Sequence, residues 1–168
     1  VAPEVAGRVT RIMFEAGAEV VAGTPLVQLN DEQERADLAS FQAQAALAQA
    51  NLNRTTRLAN RDFASQATLD TNQSALDQAR AGIARTQAVI DQKLVKAPFD
   101  GVLGIRQVQL GQYLSPGTTM VTLTDLDPLY VNFTLPEQTR AEVEVGRQVE
   151  IKVDAFPERA FAAELTTV

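Results

Sequence analysis

DEQERADLASFQAQAALAQANLNRTTRLANRDFASQATLDTNQSALDQARAGIARTQAVIDQKLVK, residues 31–96, runs for 66 residues without a proline and with one glycine, Gly82. Two seven-residue series run through it. Leu38, Ala45, Leu52 and Ala59 form one; Leu69, Leu76, Ile83 and Ile90 form the other. This is the spacing of a two-helix coiled-coil seam. If the chain reverses between Phe63 and Gln66, facing residues have numbers adding to about 128. Leu38 then meets Ile90, Ala45 meets Ile83, Leu52 meets Leu76 and Ala59 meets Leu69. The accompanying positions Phe41, Ala48, Thr55, Asn72, Ala79 and Thr86 are mostly smaller or more polar. Together with 15 alanines they predict a slender arm with high helix propensity and little apolar surface to bury. Asp31 followed by Glu34 has the spacing of a capping box, and Ser65 suits the N-cap of the returning helix. Lys93 and Lys96 suit a helix C-terminus, and Pro98 forbids continuation. A helix from Asp31 to Ala64 is about 50 Å long.

The segments on either side of the arm repeat one another. AGRVTRIMFEAGAEVVAGTPLVQLND and DGVLGIRQVQLGQYLSPGTTMVTLTD align at a constant offset of 94 residues: Gly7 with Gly101, Gly17 with Gly111, Gly23 with Gly117, Val27 with Val121, Leu29 with Leu123 and Asp31 with Asp125. Ala2-Pro3 and Ala97-Pro98 precede the two copies. Each copy reads as short strands separated by tight turns, with those six glycines as the turn residues. A unit of under 30 residues buries no useful core by itself. The two copies are therefore expected to close on each other as one small β-sandwich. The arm leaves from its joint.

From Asp127 the pattern changes. Leu129, Val131, Phe133 and Leu135 alternate with polar residues, as in a strand with one buried face ended by Pro136. Thr139 to Val145 suits a short helix; Val149, Ile151 and Val153 alternate again; Phe161 and Leu165 begin a further strand. So few strands predict part of a β-domain such as a barrel.

Composition narrows the chemistry. With no cysteine and no histidine, disulfides, thiolate metal sites and the commonest general base are absent. The carboxylates Asp100, Asp125 and Asp127 sit at turns, where aspartate satisfies local backbone groups, and no nucleophile and base pair up. The formal charge of −6 lies entirely outside the arm, which carries eight acidic and eight basic residues, and no basic groove for nucleic acid emerges. No 18-residue apolar run spans a membrane, and no Gly-rich nucleotide loop is present. The chain begins at Val1 without a methionine, which suggests a processed or trimmed chain.

The segments Gly7-Arg8-Val9, Gly17-Ala18-Glu19-Val20, Gly23-Thr24-Pro25-Leu26, Lys96-Ala97-Pro98-Phe99-Asp100-Gly101, Gly111-Gln112-Tyr113 and Asp127-Pro128-Leu129-Tyr130-Val131-Asn132-Phe133 together resemble the signatures of a known family. It is the periplasmic adaptors, or membrane fusion proteins (HlyD-like), of tripartite multidrug efflux systems in Gram-negative bacteria, in particular those of resistance-nodulation-division pumps. The resemblance implies an elongated mixed α and β chain: a split lipoyl/biotinyl-like β-sandwich with an inserted antiparallel coiled-coil hairpin, then part of a β-barrel. Its divisions would be 1–30 and 97–125 for the two lipoyl-like halves, 31–96 for the hairpin and 126–168 for the partial barrel.

The resemblance also implies function. The family's docking motif, an arginine, a leucine four residues on and a serine seven beyond, falls on Arg54, Leu58 and Ser65, and Arg61 lies close to the same side of the helix. These residues would meet an outer-membrane channel. The barrel and membrane-proximal parts outside this chain would grip an inner-membrane pump, and copies would associate into a ring. The expected location is the periplasm, attached to the inner membrane through a segment outside this chain. No cofactor is expected. In a lipoyl carrier the modified lysine sits on the turn between halves, a turn occupied here by the hairpin, with Lys93 and Lys96 at its root. The remaining alternatives are an adaptor of an ATP-driven or type I secretion system and a coiled-coil scaffold without transport.

Overall fold

The computed structural model describes residues 1–61, 63–134, 144–156 and 158–167. They divide into two compact units, Val1–Pro128 and Leu129–Val168. The first opens with β1 (Gly7–Ile12), β2 (Glu19–Val20) and β3 (Pro25–Leu29), leaves in α1 (Glu32–Ala59) and returns in α2 (Gln66–Lys93). It closes with β4 (Leu94–Lys96), β5 (Gly101–Leu103), β6 (Tyr113–Leu114) and β7 (Leu123–Thr124).

Strands in the order β4-β3-β1-β6 make one sheet and β2-β5-β7 the other. Each sheet therefore borrows from both repeats. β6 of the second repeat pairs with β1 of the first, Gly7 opposite Leu114, and β2 of the first pairs with β5 of the second, Val20 opposite Gly101. At an offset of 94 these are one pairing made twice. Individual hydrogen bonds follow the same rule: the Gly17 N–H donates to Leu103 O and the Gly111 N–H to Val9 O, at 2.8 and 2.9 Å. Likewise Gly23 N–H donates to Ala97 O and Gly117 N–H to Pro3 O, at 2.8 and 3.0 Å. The Ala97 N–H donates to Thr24 O at 2.9 Å, a bond its counterpart Pro3 has no N–H to make.

The core obeys the repeat as well. Val9 and Leu103, Leu26 and Met120, and Val27 and Val121 are each at most 1% exposed, with Leu29, Val108 and Leu114 beside them. Each such burial is worth about 1.5–3 kcal/mol relative to exposure, and it is available only when both halves are present.

Four of the six glycines, Gly17, Gly23, Gly111 and Gly117, have φ between +80° and +83°, a region closed to most side chains. Gly7 and Gly101, expected at turns, instead begin strands. A Cβ at Gly7 would lie 3.1 Å from the Leu29 Cβ, and one at Gly101 would strike the Thr124 carbonyl oxygen. They serve close approach of strands rather than reversal.

α1 and α2 have 28 residues each, about 42 Å of helix. The hairpin interrupts a pair of hydrogen-bonded strands: β3 and β4 lie antiparallel, Gln28 opposite Leu94 and Val27 opposite Val95. Along the inner face Leu76, Ala79, Thr86 and Ile90 of α2 and Thr55 of α1 are buried, while Leu38, Phe41, Ala45, Leu52, Ala59, Leu69 and Ile83 are half-buried. The Asn72 amide donates to the Thr55 hydroxyl at 2.8 Å, and Arg80 to Gln49 at 3.2 Å. Gly82 admits the Phe41 ring: a Cβ there would be 2.6 Å from Phe41 Cδ1.

Two expectations at the arm's ends fail. α2 stops at Lys93, not Lys96, because Leu94–Lys96 are taken up as a strand and Val95 enters the sandwich core at 8% exposure. The capping box does not form. Asp31 occupies the N-cap without a side-chain bond to the helix; its carboxylate pairs with Arg35 at 2.7 Å, Glu34 pairs with Lys93, and the Glu32 N–H is met by Asn30 Oδ1 at 3.0 Å.

In the second unit β8 (Gln148–Lys152) and β9 (Ala160–Glu164) form an antiparallel ribbon, with Ile151 opposite Phe161. The Arg159 guanidinium lies 5.3 Å from the Phe161 ring centroid. The strand expected from Leu129 is not found over its described part. Leu129, Val131 and Phe133 are at least 50% exposed and the segment is unpaired among the described residues. Alternation buries a face only where a second layer lies beneath, and the described part of this unit is a two-stranded ribbon. Leu135, Pro136 and most of Thr139 to Val145 lie outside the described residues.

Candidate functional site at the hairpin tip

The turn between the helices is fixed by its own backbone. Asn60 ends α1 in a helical conformation, its N–H donating to Thr56 O at 3.1 Å. The Leu58 carbonyl then accepts two donors, Arg61 N–H at 3.0 Å and Phe63 N–H at 2.9 Å. α2 starts from Ser65, whose extended backbone leaves its hydroxyl placed to accept from Thr68 N–H at 3.3 Å. The Ser65 and Thr68 hydroxyls also lie 2.9 Å apart. Below the turn, the hydrogen bond from half-buried Asn72 to buried Thr55 ties the two helices together.

Of the four residues expected at the tip, Arg54 and Leu58 lie one turn apart on α1, Arg61 lies in the turn and Ser65 opens α2. All are exposed, Leu58 at 42%. Ser65 caps its helix and remains at the surface. Sequence reasoning passed over Phe63, which is 78% exposed in the middle of the turn. Its signal was present: an aromatic between two helical series that belongs to neither. Arg57 adds a third guanidinium, its Nε donating to Asn53 O at 3.2 Å. Among the described residues no carboxylate pairs with Arg54, Arg57 or Arg61. Leu58 and Phe63 are thus exposed apolar side chains near three guanidiniums, while Asp62 of the same turn lies outside the described residues.

The root is held differently. Lys93 Nζ donates to Asn30 O at 2.7 Å and to Glu34 Oε1 at 2.6 Å, crossing from the end of α2 to the start of α1. Gln28 Nε2, on β3, donates to Leu29 O at 2.7 Å and reaches Asp31 Oδ2 at 3.3 Å. Burial opposes ionisation of Glu34, but the Lys93 hydrogen bond together with backbone donation and the ammonium charge outweighs it, so the carboxyl lies below its usual range. The Arg35 hydrogen bond does the same for Asp31 against a smaller burial effect. Lys93 is thus engaged as the arm's fastening. Among the described residues no group of three Asp, Glu, His or Cys side chains gathers as a metal site, and no helix is long and apolar enough to cross a membrane.

A family model described as "RND MFP, barrel-sandwich hybrid domain" matches residues 1–126. An uncharacterised protein of Haemophilus influenzae is 31% identical over 163 residues, covering 97% of this chain and 43% of that protein. The multidrug resistance protein MdtA of Klebsiella pneumoniae is 34% identical over 153 residues, covering 82% of this chain and 37% of its own length. The chain thus spans less than half the length of these curated relatives. Among solved structures, a MacA-MexA chimeric protein carrying the Pseudomonas aeruginosa MexA α-hairpin domain superposes with a TM-score of 0.80 at 18% identity, over 99% of this chain and 62% of that one. The membrane fusion protein Spr0693 of Streptococcus pneumoniae gives 0.75 at 19% identity, over 95% and 72%. At such identities the structural likeness speaks to the fold.

Proposed function

The chain belongs to the RND-type membrane fusion proteins, the periplasmic adaptors, and from that membership we propose that it is the part of an adaptor that reaches from an inner-membrane efflux transporter to an outer-membrane channel. It acts by architecture rather than as an enzyme. The observation that carries this reading is the insertion of a 28-residue helix pair between the adjoining strands β3 and β4, with an exposed tip at the other end. Both roots leave one interlocked sandwich, so a load on the tip is passed to a body that cannot open without breaking both sheets.

In this reading Arg54, Leu58, Arg61 and Ser65 engage the channel, copies of the chain associate side by side into a ring with their lipoyl-like bodies adjoining, and parts outside this chain reach the pump and the inner membrane. Drugs or other small toxic compounds are the cargo, and the pump supplies the energy. The periplasm is the working compartment. The similarity to MdtA, a multidrug resistance protein, supports the choice of cargo.

The test places Leu58→Asp in the full-length protein in cells lacking the native copy. A carboxylate put into an apolar contact without a partner costs several kcal/mol, so dye export is expected to fall to the level of the deletion strain while the adaptor's abundance and helical signal stay unchanged. Undiminished export, with an undiminished crosslink between the tip and the channel, rejects Leu58 as an anchor.

A further inference from the structure

The arm is not packed evenly along its length. On α2 Leu76, Ala79, Thr86 and Ile90 are buried. Over that stretch contacts cross between the helices: Arg80 to Gln49 at 3.2 Å, the Phe41 ring against Gly82, and Lys93 to Glu34 at 2.6 Å. Toward the turn the pattern stops at the hydrogen bond from Asn72 to Thr55, the one buried side chain of α1. Beyond it, residues 56–59 of α1 and 66–71 of α2 bury nothing; Ala59 and Leu69 are half-buried and the others exposed. Side-chain hydrogen bonds there stay on their own helix, from Thr56 to Leu52 O, Arg57 to Asn53 O, Gln66 to Asp70 and Thr71 to Ala67 O. Among the described residues none crosses to the other helix.

We infer that the Thr55–Asn72 bond is a clasp that divides the arm into a shaft and an end that opens on its own. The helical turns beyond the clasp unfold and refold locally while the shaft, the roots and the sandwich stay closed. Helices in water draw most of their stability from packing, and the nucleus of a helical turn is costly, so segments of this length do not persist unpacked. Ala59 and Leu69 provide little apolar surface to pack with. Backbone hydrogen bonds that are exposed and backed by few buried contacts belong to the least stable part of a fold. The clasp holds the helices at one point, but a polar pair in a seam gives less stability than an apolar pair in the same layer, and so the seam is interrupted there. The seven-residue series runs on through Ala59 and Leu69 without showing the break. The inference stands on the arm's own packing and does not depend on what its end touches.

Hydrogen exchange resolved to single amides in the full-length protein tests it. The amides of residues 56–59 and 69–71 are expected to exchange about 100-fold faster, relative to their intrinsic rates, than those of Leu76, Ala79 and Ile83, and to share one urea dependence. The step is expected at Thr55 on one helix and at Asn72 on the other. Thr55→Val combined with Asn72→Leu makes the layer apolar and is expected to slow exchange of the outer amides about tenfold. Asn72→Ala removes the clasp and is expected to carry the step to the next layer, Leu52 and Leu76, with Ile83 and Ile90 unchanged. Equal protection on both sides of the clasp, or a smooth decline along each helix, overturns the inference. So does a folded double variant whose outer amides exchange at the native rate, and so does an Asn72→Ala variant whose step stays in place.

Discussion

Lys93 shows how one side chain can hold an arm to its base. Its ammonium meets both the Asn30 carbonyl and Glu34, whose second oxygen is buried without a partner among the described residues, so among them this lysine is the one side chain that pairs with the carboxylate. Removing the charge with Lys93→Met leaves a half-buried carboxylate unpaired and is expected to cost about 1–3 kcal/mol in urea unfolding. The pH dependence carries the sign. Glu34 and Asp31 both have folded values below their ordinary ones, so their contribution is complete above about pH 5 and disappears as the pH falls through the lowered values. In Lys93→Met only burial acts strongly on Glu34, its value rises, and its share of the acid response changes sign: acidification then favours the folded state at that site. Unfolding midpoints between pH 3 and pH 6 check this, and an unaltered acid slope in Lys93→Met would show the pair to be ornamental. The same residues explain a misreading of the sequence. Asp31 and Glu34 have capping-box spacing, but Arg35 and, from 59 residues away, Lys93 take their carboxylates, and nothing in local spacing shows a partner that distant. The six repeat glycines carried a similar ambiguity. The offset of 94 revealed all of them, yet a glycine needed for positive φ, as at Gly17, and one needed because a Cβ would meet Thr124, as at Gly101, look alike in sequence.

At the scale of the helices, the inward series was legible because a seven-residue period is a property of one chain segment and needs no knowledge of the rest. Leu76, Ile83 and Ile90 on α2 and Leu38, Ala45 and Leu52 on α1 stand on the covered face, and the Asn72 to Thr55 bond joins positions that the proposed reversal brings opposite each other. The extent of the helices was less legible. Leu94–Lys96 have no helix breaker among them, and their conversion to strand depends on β3 offering an edge and on Val95 finding a place in the core. Gly82 tests the packing in a way that composition alone predicts wrongly. By propensity, Gly82→Ala in a helix interior should stabilise by about 1 kcal/mol. The Phe41 ring, 2.6 Å from where that Cβ would stand, is half-buried in the seam and must be displaced, a change of the overpacking kind that costs about 1–3 kcal/mol. The expected result is net destabilisation in the native background and stabilisation once Phe41→Leu has removed the ring. A double-mutant cycle followed by the helical signal measures the coupling; additive changes would mean that the ring moves aside freely.

For the molecule as a whole, the question is whether the arm and the interlocked sandwich depend on one another to fold. Val27 faces Val95 and Gln28 faces Leu94 across β3 and β4, so the whole hairpin stands where an ordinary chain would place a tight turn. Closing an unstructured insertion of 63 residues, Asn30 to Gln92, costs about 3 kcal/mol more than closing a two-residue turn. The helices cancel much of that by bringing their own roots together, which they do with the Lys93 contacts to Asn30 and Glu34. The sandwich, by contrast, draws its core from residues outside the arm: Val9, Leu26, Leu103, Leu114 and Met120 all lie before Asn30 or after Gln92. Replacing Asn30–Gln92 by an Asn-Gly turn keeps Leu29 and Lys93 in register and supplies a turn whose backbone matches strand twist. The shortened first unit is therefore expected to unfold in one cooperative transition. Residues 1–29 alone are expected to show no transition, because β2 and β6 each pair with a strand of the other repeat. Thermal melts followed by the far-ultraviolet β signal decide the matter. A shortened chain without a transition would show that the arm helps build the body it springs from, whereas a folded one would leave arm and body free to vary separately, the body's integrity resting on the strands that the two repeats exchange.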